Sequence, residues 1–184
     1  RVGGPADILV QPKGTELAAV IRLCRKYDVP YQVIGNGSNL LVGDRGIRGL
    51  VIEMLSKEDE ICVEDDCITV GAGMLLSKTA NRAAEHGLTG MEFAAGIPGR
   101  IGGAVVMNAG AYGGEMKDIL TAVTVLDQEG NEKILSAEEL ELGYRTSCIL
   151  KKGYIVTGAK IKLKHSNPCP HGGVKEAESG KTAA

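Results

Sequence analysis

The sequence predicts an α+β fold in two lobes, and three observations carry that expectation. Residues 1–55 alternate strand, helix and strand signals. A polar run at 56–60 then breaks the apolar patterning. Beyond it, short alternating strands come in pairs with helical stretches between them. The expected division is 1–55 for a small α/β lobe, 56–164 for a second lobe, and 165–184 for a disordered tail rich in Pro, Gly, Ser and Lys.

In the first lobe, residues 6–10 read as a strand that Pro12 closes. Thr15 is placed to cap a helix running to about residue 27, with Leu17, Val20, Ile21 and Cys24 at i, i+3, i+4 and i+7. Pro30 ends the connection, and residues 31–34 form a second short strand. A glycine loop at 35–39, an apolar stretch at 40–42, a turn at 44–46 and a strand at 50–54 complete the lobe. In the second lobe, 61–63 and 67–70 alternate like paired strands. Gly71-Ala72-Gly73 then leads into a helix over 75–85 that Gly87 stops. Strands at 122–127 and 132–135 make a hairpin around Gln128-Glu129-Gly130-Asn131. A short acidic helix at 137–142 and a closing strand at 154–163 follow.

The 184 residues carry a net charge of −2 and no basic run, which excludes the electrostatic footprint of a nucleic-acid binder. No apolar stretch approaches the ~18 residues of a membrane span. No signal-peptide pattern is present either, and the expected setting is the cytoplasm. The chain opens at Arg1 without a methionine, as a piece of something longer would. Its cysteines, Cys24, Cys62, Cys67, Cys148 and Cys169, include no C-x-x-C pair and read as buried free thiols. His165, Cys169 and His171 have no recognised ligand spacing, so no metal is expected. Glycine accounts for 26 residues, about twice the usual ~7%, while aromatics are limited to Phe93 and five tyrosines. An apolar content of 43% still supports a core of Val, Ile, Leu and Ala, so the glycines point to tight backbone loops that cradle a ligand.

Three segments carry the chemistry. Gly35-Asn36-Gly37-Ser38-Asn39 follows a strand, and its glycines can turn successive N–H groups inward as an anion nest, with Ser38 and Asn39 adding donors. An ordinary tight turn reads the same way. No Lys-Ser or Lys-Thr follows, so it is not a nucleotide P-loop, and it lacks the third glycine and opening helix of the dinucleotide fingerprint. Gly71-Ala72-Gly73 does enter a helix, but Leu76 stands where the third glycine belongs. Residues 96–114 hold seven glycines among small apolar side chains and one buried-type amide, Asn108. Such a stretch packs poorly by itself. Its physical use is close approach of backbone to a diphosphate or a fused ring system, the alternative being a structural turn. Finally, in Leu142-Gly143-Tyr144-Arg145-Thr146-Ser147, Arg145 beside Tyr144 offers a bidentate fork for a carboxylate or phosphate. A surface arginine gives the same pattern.

These segments, in this order, resemble the UDP-N-acetylenolpyruvoylglucosamine reductases, the MurB family. The matching pieces are RVGGPAD at 1–7, GNGSNLLV at 35–42, GIPGRIGGAVVMNAGAYGGE at 96–115 and LGYRTS at 142–147, within residues 1 to about 163. The resemblance implies the two-lobed FAD-binding fold shared with vanillyl-alcohol oxidase. In it a small α/β lobe lies beside a mainly antiparallel sheet flanked by helices, with FAD between them. It implies that Gly35, Asn36, Gly37, Ser38 and Asn39 surround the cofactor pyrophosphate, and that Pro98, Gly102, Gly103, Ala104, Asn108 and Gly110 line the rest. The implied activity is an oxidoreduction of peptidoglycan precursor synthesis: NADPH reduces the flavin, which reduces the enolpyruvyl group of a UDP-sugar to give UDP-N-acetylmuramate. Arg145 matches the family arginine that stabilises the developing charge, with Tyr144 its neighbour in the substrate pocket. Arg100 stands where a smaller residue is expected.

The family continues into a third, substrate-binding domain with a serine proton donor and a glutamate partner. Here the match stops near Lys164, and neither Ser147 nor Ser166 lies in a matching motif. The expectation is therefore a C-terminally shortened chain that binds FAD without turning over the UDP-sugar. A flavin-binding module with no catalysis and an oxidase of the same fold are the alternatives; the Tyr144-Arg145 pair favours the reductase lineage over the oxidase. The expected partner is the UDP-sugar, with no nucleic acid and no membrane, and oligomeric state is not legible.

Overall fold

A helix between two strands of one sheet lets them run in the same direction, because it returns the chain to its starting end. The computed structural model describes residues 3–56 and 61–166. In its first lobe, β1 (Ala6–Val10), α1 (Glu16–Lys26), β2 (Tyr31–Ile34) and β3 (Ile47–Glu53) follow in chain order. The sheet runs β1-β3-β2 with both pairings parallel. α1 buries Leu17, Ile21 and Cys24 against Leu50 and Ile52 of β3; Val20, expected on the same face, is partly buried. Thr15 precedes the helix as expected, yet its side chain caps nothing, since its backbone is already helical (φ −70°, ψ −13°). Glu16 Oε2 acts instead, accepting from the Lys13 N–H at 2.7 Å.

The second lobe holds β4 (Ile61–Glu64), β5 (Cys67–Gly71), α2 (Leu76–Glu85), β6 (Leu88–Thr89), α3 (Ile101–Val106), β7 (Gly110–Ala111) and β8 (Gly114–Glu115). It continues with β9 (Leu120–Leu126), β10 (Glu132–Ser136), α4 (Cys148–Lys152), β11 (Ile155–Lys162) and β12 (Lys164–His165). Five of these strands form an antiparallel sheet in the order β10-β9-β11-β5-β4. α3 lies on β11 and β5, and Ile68, Val70, Leu76, Ile101, Val105 and Ile161 are sealed from solvent between sheet and helices. Each such side chain contributes roughly 1.5–3 kcal/mol. Leu126 and Ile155 turn instead toward α1, so the two sheets share a second, smaller core. Arg22 Nη2 donates to the Gly130 carbonyl at 2.8 Å and Arg25 pairs with Glu129, which ties α1 to the β9–β10 turn.

Several expectations differ from the structure. Residues 137–142 make turns, not a helix. Ser136 and Glu139 do exchange the hydrogen bonds of a capping box, at 2.8 and 3.4 Å. The chain then enters the left-handed region at Glu141 (φ 48°) and stops after one turn, with Leu140 sealed in the core. The helix forms later, as α4, where buried Ser147 accepts from the Leu150 N–H and Gly153 closes the end in a left-handed conformation. His165 and Ser166, the start of the segment expected to be disordered, are held in place: β12 pairs with β6, and Ser166 bonds the Gly87 carbonyl through both its N–H and its hydroxyl. The rest of that segment, Cys169 and His171 included, lies outside the described residues. Cys24 and Cys148 are buried free thiols, but Cys62 is exposed and Cys67 half-buried, because both sit on the β4–β5 hairpin at the sheet edge. Among the described residues no helix is long and apolar enough to cross a membrane, and no group of three or more His, Cys, Asp or Glu is arranged to hold a metal.

The β9–β10 turn carries a charge whose effect can be measured. Asp127 is buried, and its Oδ1 accepts from the N–H groups of Asn131 and Glu129, both at 2.9 Å, while Lys133 Nζ lies 3.0 Å from Oδ2. The Asn131 N–H above all, with the Lys133 ammonium, holds its carboxyl down at about 2 against the desolvation that opposes it. A carboxyl with a lower pKa folded than unfolded stabilises the fold above its unfolded value of about 4, and loses that contribution as pH falls toward the folded value. Asp127→Asn is expected to lower the thermal midpoint by several degrees at neutral pH and to flatten its fall between about pH 4 and pH 2. An unchanged acid limb in melts across that range would contradict this.

Candidate functional site

Ligands of open parallel sheets sit beyond the carboxyl ends of the strands, and residues 35–39 leave β2 at that end. Facing them is the stretch 97–104, the connection into α3 and its first turn. Asn36 Nδ2 donates to the Pro98 carbonyl at 3.1 Å and ties the two stretches together. Between them lies a cleft of about 370 Å³, a size suited to a small molecule. Gly35, Asn36, Gly37, Ser38 and Asn39 form one wall, Pro98, Gly103 and Ala104 the other, and Arg145 also borders it. Gly37 takes a φ of +66°, which curls the loop so that the N–H groups of residues 36–39 donate to no described residue.

The second wall is pinned from behind. Gly102 N–H donates to the Ala72 carbonyl at 2.8 Å, Ile101 N–H to the Met74 carbonyl at 2.9 Å, and Leu76 N–H to the Gly99 carbonyl at 3.0 Å. A Cβ on Gly102 would lie 3.1 Å from the Ala72 Cβ, so glycine here lets α3 approach that strand end. At Gly103 a Cβ would meet nothing within 4 Å.

A second cavity of about 280 Å³ adjoins the cleft; Val33, Ile34, Gly35 and Gly103 line both, and it takes in Gly102, Tyr31, Met54 and Tyr154. A third, of about 250 Å³, is lined by Asn108, Gly110, Tyr144 and, shared with the cleft, Arg145. Asn108 and Gly110, expected on the cofactor, thus stand apart from the cleft between the glycine stretches. The Asn108 amide is spent inside the protein: Nδ2 donates to Glu115 Oε2 at 2.6 Å and to the Gly143 carbonyl at 3.2 Å, and Oδ1 accepts from the Lys117 N–H at 2.9 Å. Gly110 serves the β7–β8 hairpin, where a Cβ would lie 2.6 Å from the Gly114 carbonyl oxygen.

Tyr144 and Arg145 occupy the tip of a tight turn closed by Gly143 N–H to the Thr146 carbonyl (3.1 Å) and its reciprocal bond (3.3 Å). Arg145 is exposed, with φ +53°, and its guanidinium lies 5.9 Å from the Tyr144 ring centre. Among the described residues no carboxylate pairs with it, so its fork is open to an anionic ligand. Buried Ser147 donates to the Val106 carbonyl at 2.7 Å and has no route to the cleft. Sequence reasoning did not select Met107 and Ala109 for the cleft, or Tyr31 and Tyr154 for the adjoining cavity. Arg100 carries a signal of its own in the sequence: it is the only charged residue in 96–114.

The FAD binding domain family matches residues 6–136 of this chain. The UDP-N-acetylenolpyruvoylglucosamine reductase of Clostridium perfringens is 53% identical over 165 residues, which cover 89% of this chain and 54% of that protein. That of Clostridium tetani is 56% identical over 164 residues, covering 89% and 53%. The chain spans about half the length of the curated relatives it matches. Among solved structures, UDP-N-acetylenolpyruvylglucosamine reductase (MurB) from Thermus caldophilus superposes with a TM-score of 0.75 at 43% identity, over 90% of this chain and 58% of that one. The fold is therefore the expected two-lobed FAD-binding fold of the vanillyl-alcohol-oxidase type.

The residues present fit an anionic flavin nucleotide. The described lining of the cleft includes Arg100 and Arg145 and no Asp or Glu. Among the described residues the amides of 36–39 and the buried Arg100 Nε have no partner, and Gly103 leaves the opposite wall open. By its sequence matches and by a cleft built to suit them, the chain belongs to the FAD binding domain family, among the relatives of the UDP-N-acetylenolpyruvoylglucosamine reductases.

Proposed function

We propose that this chain holds FAD between its two glycine-rich walls and serves the NADPH-dependent reduction of UDP-N-acetylglucosamine enolpyruvate to UDP-N-acetylmuramate. The observation that carries the proposal is the meeting of residues 35–39 and 97–104 across one cleft that Arg145 also borders. FAD, when bound, supplies the hydride chemistry. The chain's own groups supply the rest. The N–H groups of 36–39, with the Ser38 and Asn39 side chains, bind the diphosphate and hold the cofactor against Gly103 and Ala104. Arg145, pre-formed in its turn, clamps the substrate carboxylate and stabilises negative charge as it develops on the enolpyruvyl group. Tyr144, its ring centre 5.9 Å from the guanidinium, is the neighbour of Arg145 in the substrate pocket on this proposal. On this proposal residues 1–55 and 56–164 are the two lobes of the cofactor site, and residues 1–184 alone bind FAD without turning over the UDP-sugar in the cytoplasm.

Flavin-fluorescence titration of the purified chain tests the first part, and a chain that quenches no FAD fluorescence would refute it. Steady-state NADPH oxidation dependent on the UDP-sugar would overturn the statement about turnover. Arg145→Met is expected to leave FAD affinity within about twofold while weakening binding of the enolpyruvyl UDP-sugar about 10- to 100-fold, read from its perturbation of the bound-flavin spectrum. Equal loss of both ligands would overturn the assignment of Arg145 to the substrate carboxylate.

A further inference from the structure

We propose that Arg100, which lines the cleft with the glycine loop 35–39, is a ligand of the cofactor diphosphate. The inference rests on the FAD proposal and names one of its binding groups. Arg25, Arg48 and Arg82 pair with surface carboxylates, but Arg100 has no acidic partner among the described residues. Its stem runs along the first residue of the nest: a Cβ on Gly35 would lie 3.3–3.5 Å from the Arg100 Cβ, Cγ and Cδ. Nη1 donates to the Gly73 carbonyl at 2.6 Å, which anchors one corner of the guanidinium. Nε is buried with no partner, and no described residue accepts from Nη2.

Nε and Nη2 together form the side-on edge of the fork, the edge that matches two oxygens of a phosphate. The described lining of the cleft holds no carboxylate and the guanidinium is anchored by one neutral carbonyl, so no described counter-charge competes with an anion. Because Nε is sealed from water as well, satisfying it takes a small turn of the side chain toward the cleft, which a single anchor permits. Riboflavin, which lacks phosphate, gains nothing from this contact. The same residue therefore makes the site selective for the dinucleotide over the bare ring system.

The test compares FAD and riboflavin on the wild-type chain and on Arg100→Met, Arg100→Ser and Arg100→Lys, by flavin-fluorescence titration with thermal melts as a fold control. Loss of this charge-assisted contact is expected to weaken FAD about 10- to 100-fold and riboflavin less than about twofold, with lysine between wild type and methionine. The wild-type FAD affinity is expected to fall more steeply with salt than that of Arg100→Met. Unchanged FAD affinity in Arg100→Met, or equal loss of FAD and riboflavin, overturns the inference and leaves the FAD proposal standing. A wild-type chain that binds neither flavin overturns the FAD proposal itself. Should the methionine and serine variants fail to fold, a salt-independent FAD affinity in wild type and lysine variant still refutes the role.

Discussion

Gly103→Leu is expected to abolish FAD binding while leaving the fold at least as stable as it is. The two effects separate because of where the position lies. Gly103 is in α3, and replacing a helical glycine with leucine gains up to about 1 kcal/mol of helix propensity. Beyond its own helix backbone, a Cβ there meets no described atom within 4 Å, so the packed interior need not move for it. Yet the residue lines both the cleft and the adjoining cavity, and four added carbons stand where the two meet. One position along, the outcome inverts. A Cβ on Gly102 would lie 3.1 Å from the Ala72 Cβ and 3.3 Å from the Ala72 carbonyl oxygen, which itself accepts the Gly102 N–H. Neither side can yield, so Gly102→Ala is expected to cost about 1–3 kcal/mol. Paired melts and flavin titrations on the two variants read both quantities. A Gly103→Leu chain that keeps wild-type FAD affinity would show that the cofactor is not held between these walls.

That pair of glycines also marks how far the sequence could be read. The seven glycines in 96–114 identify a backbone that something approaches closely, but they do not say what. At Gly102 the approaching group is Ala72, at Gly110 the Gly114 carbonyl, and at Gly103 open cleft. The distinction depends on residues tens of positions apart, and no local pattern contains it. Local signals did better where one element sufficed. The i, i+3, i+4, i+7 face predicted α1 with its buried Leu17, Ile21 and Cys24, and the alternation at 61–63 and 67–70 predicted the β4–β5 hairpin. The misplaced helix at 137–142 shows the limit of even local reading. Its capping box is real, but the left-handed Glu141 and the buried Leu140 end the turn, and helix resumes only after the Tyr144-Arg145 tip. The link between Asn36 and Pro98, which turns two loops into one site, joins residues 62 positions apart.

Asn108→Ala is expected to cost on the order of 3 kcal/mol, or roughly 6–12 °C in thermal midpoint. The residue is 4% exposed and holds a φ of +43°, a conformation asparagine tolerates and alanine resists. Its removal strands the Gly143 carbonyl and the Lys117 N–H, and takes one hydrogen bond from the Glu115 carboxylate, which keeps the Lys117 ammonium at 3.1 Å. Asn108→Asp distinguishes this network from simple packing, since it keeps shape and backbone preference but sets a second carboxylate against Glu115. Two such groups cannot both ionise cheaply, so one pKa rises in the folded state. A group whose folded pKa is raised destabilises above that value and is relieved below it. The aspartate variant is therefore expected to lie furthest below wild type at neutral pH and to recover toward it as the pair takes up a proton in mild acid. Melts of both variants from neutral to mildly acidic pH check this, and a pH-independent deficit in Asn108→Asp would refute it. Because the same amide holds Gly143, the base of the turn that presents Arg145, both variants are also expected to retain FAD while losing affinity for the carboxylate-bearing UDP-sugar. On the proposed function, Asn108 would then act on the substrate through the turn that carries Arg145, and not by direct contact with the cofactor.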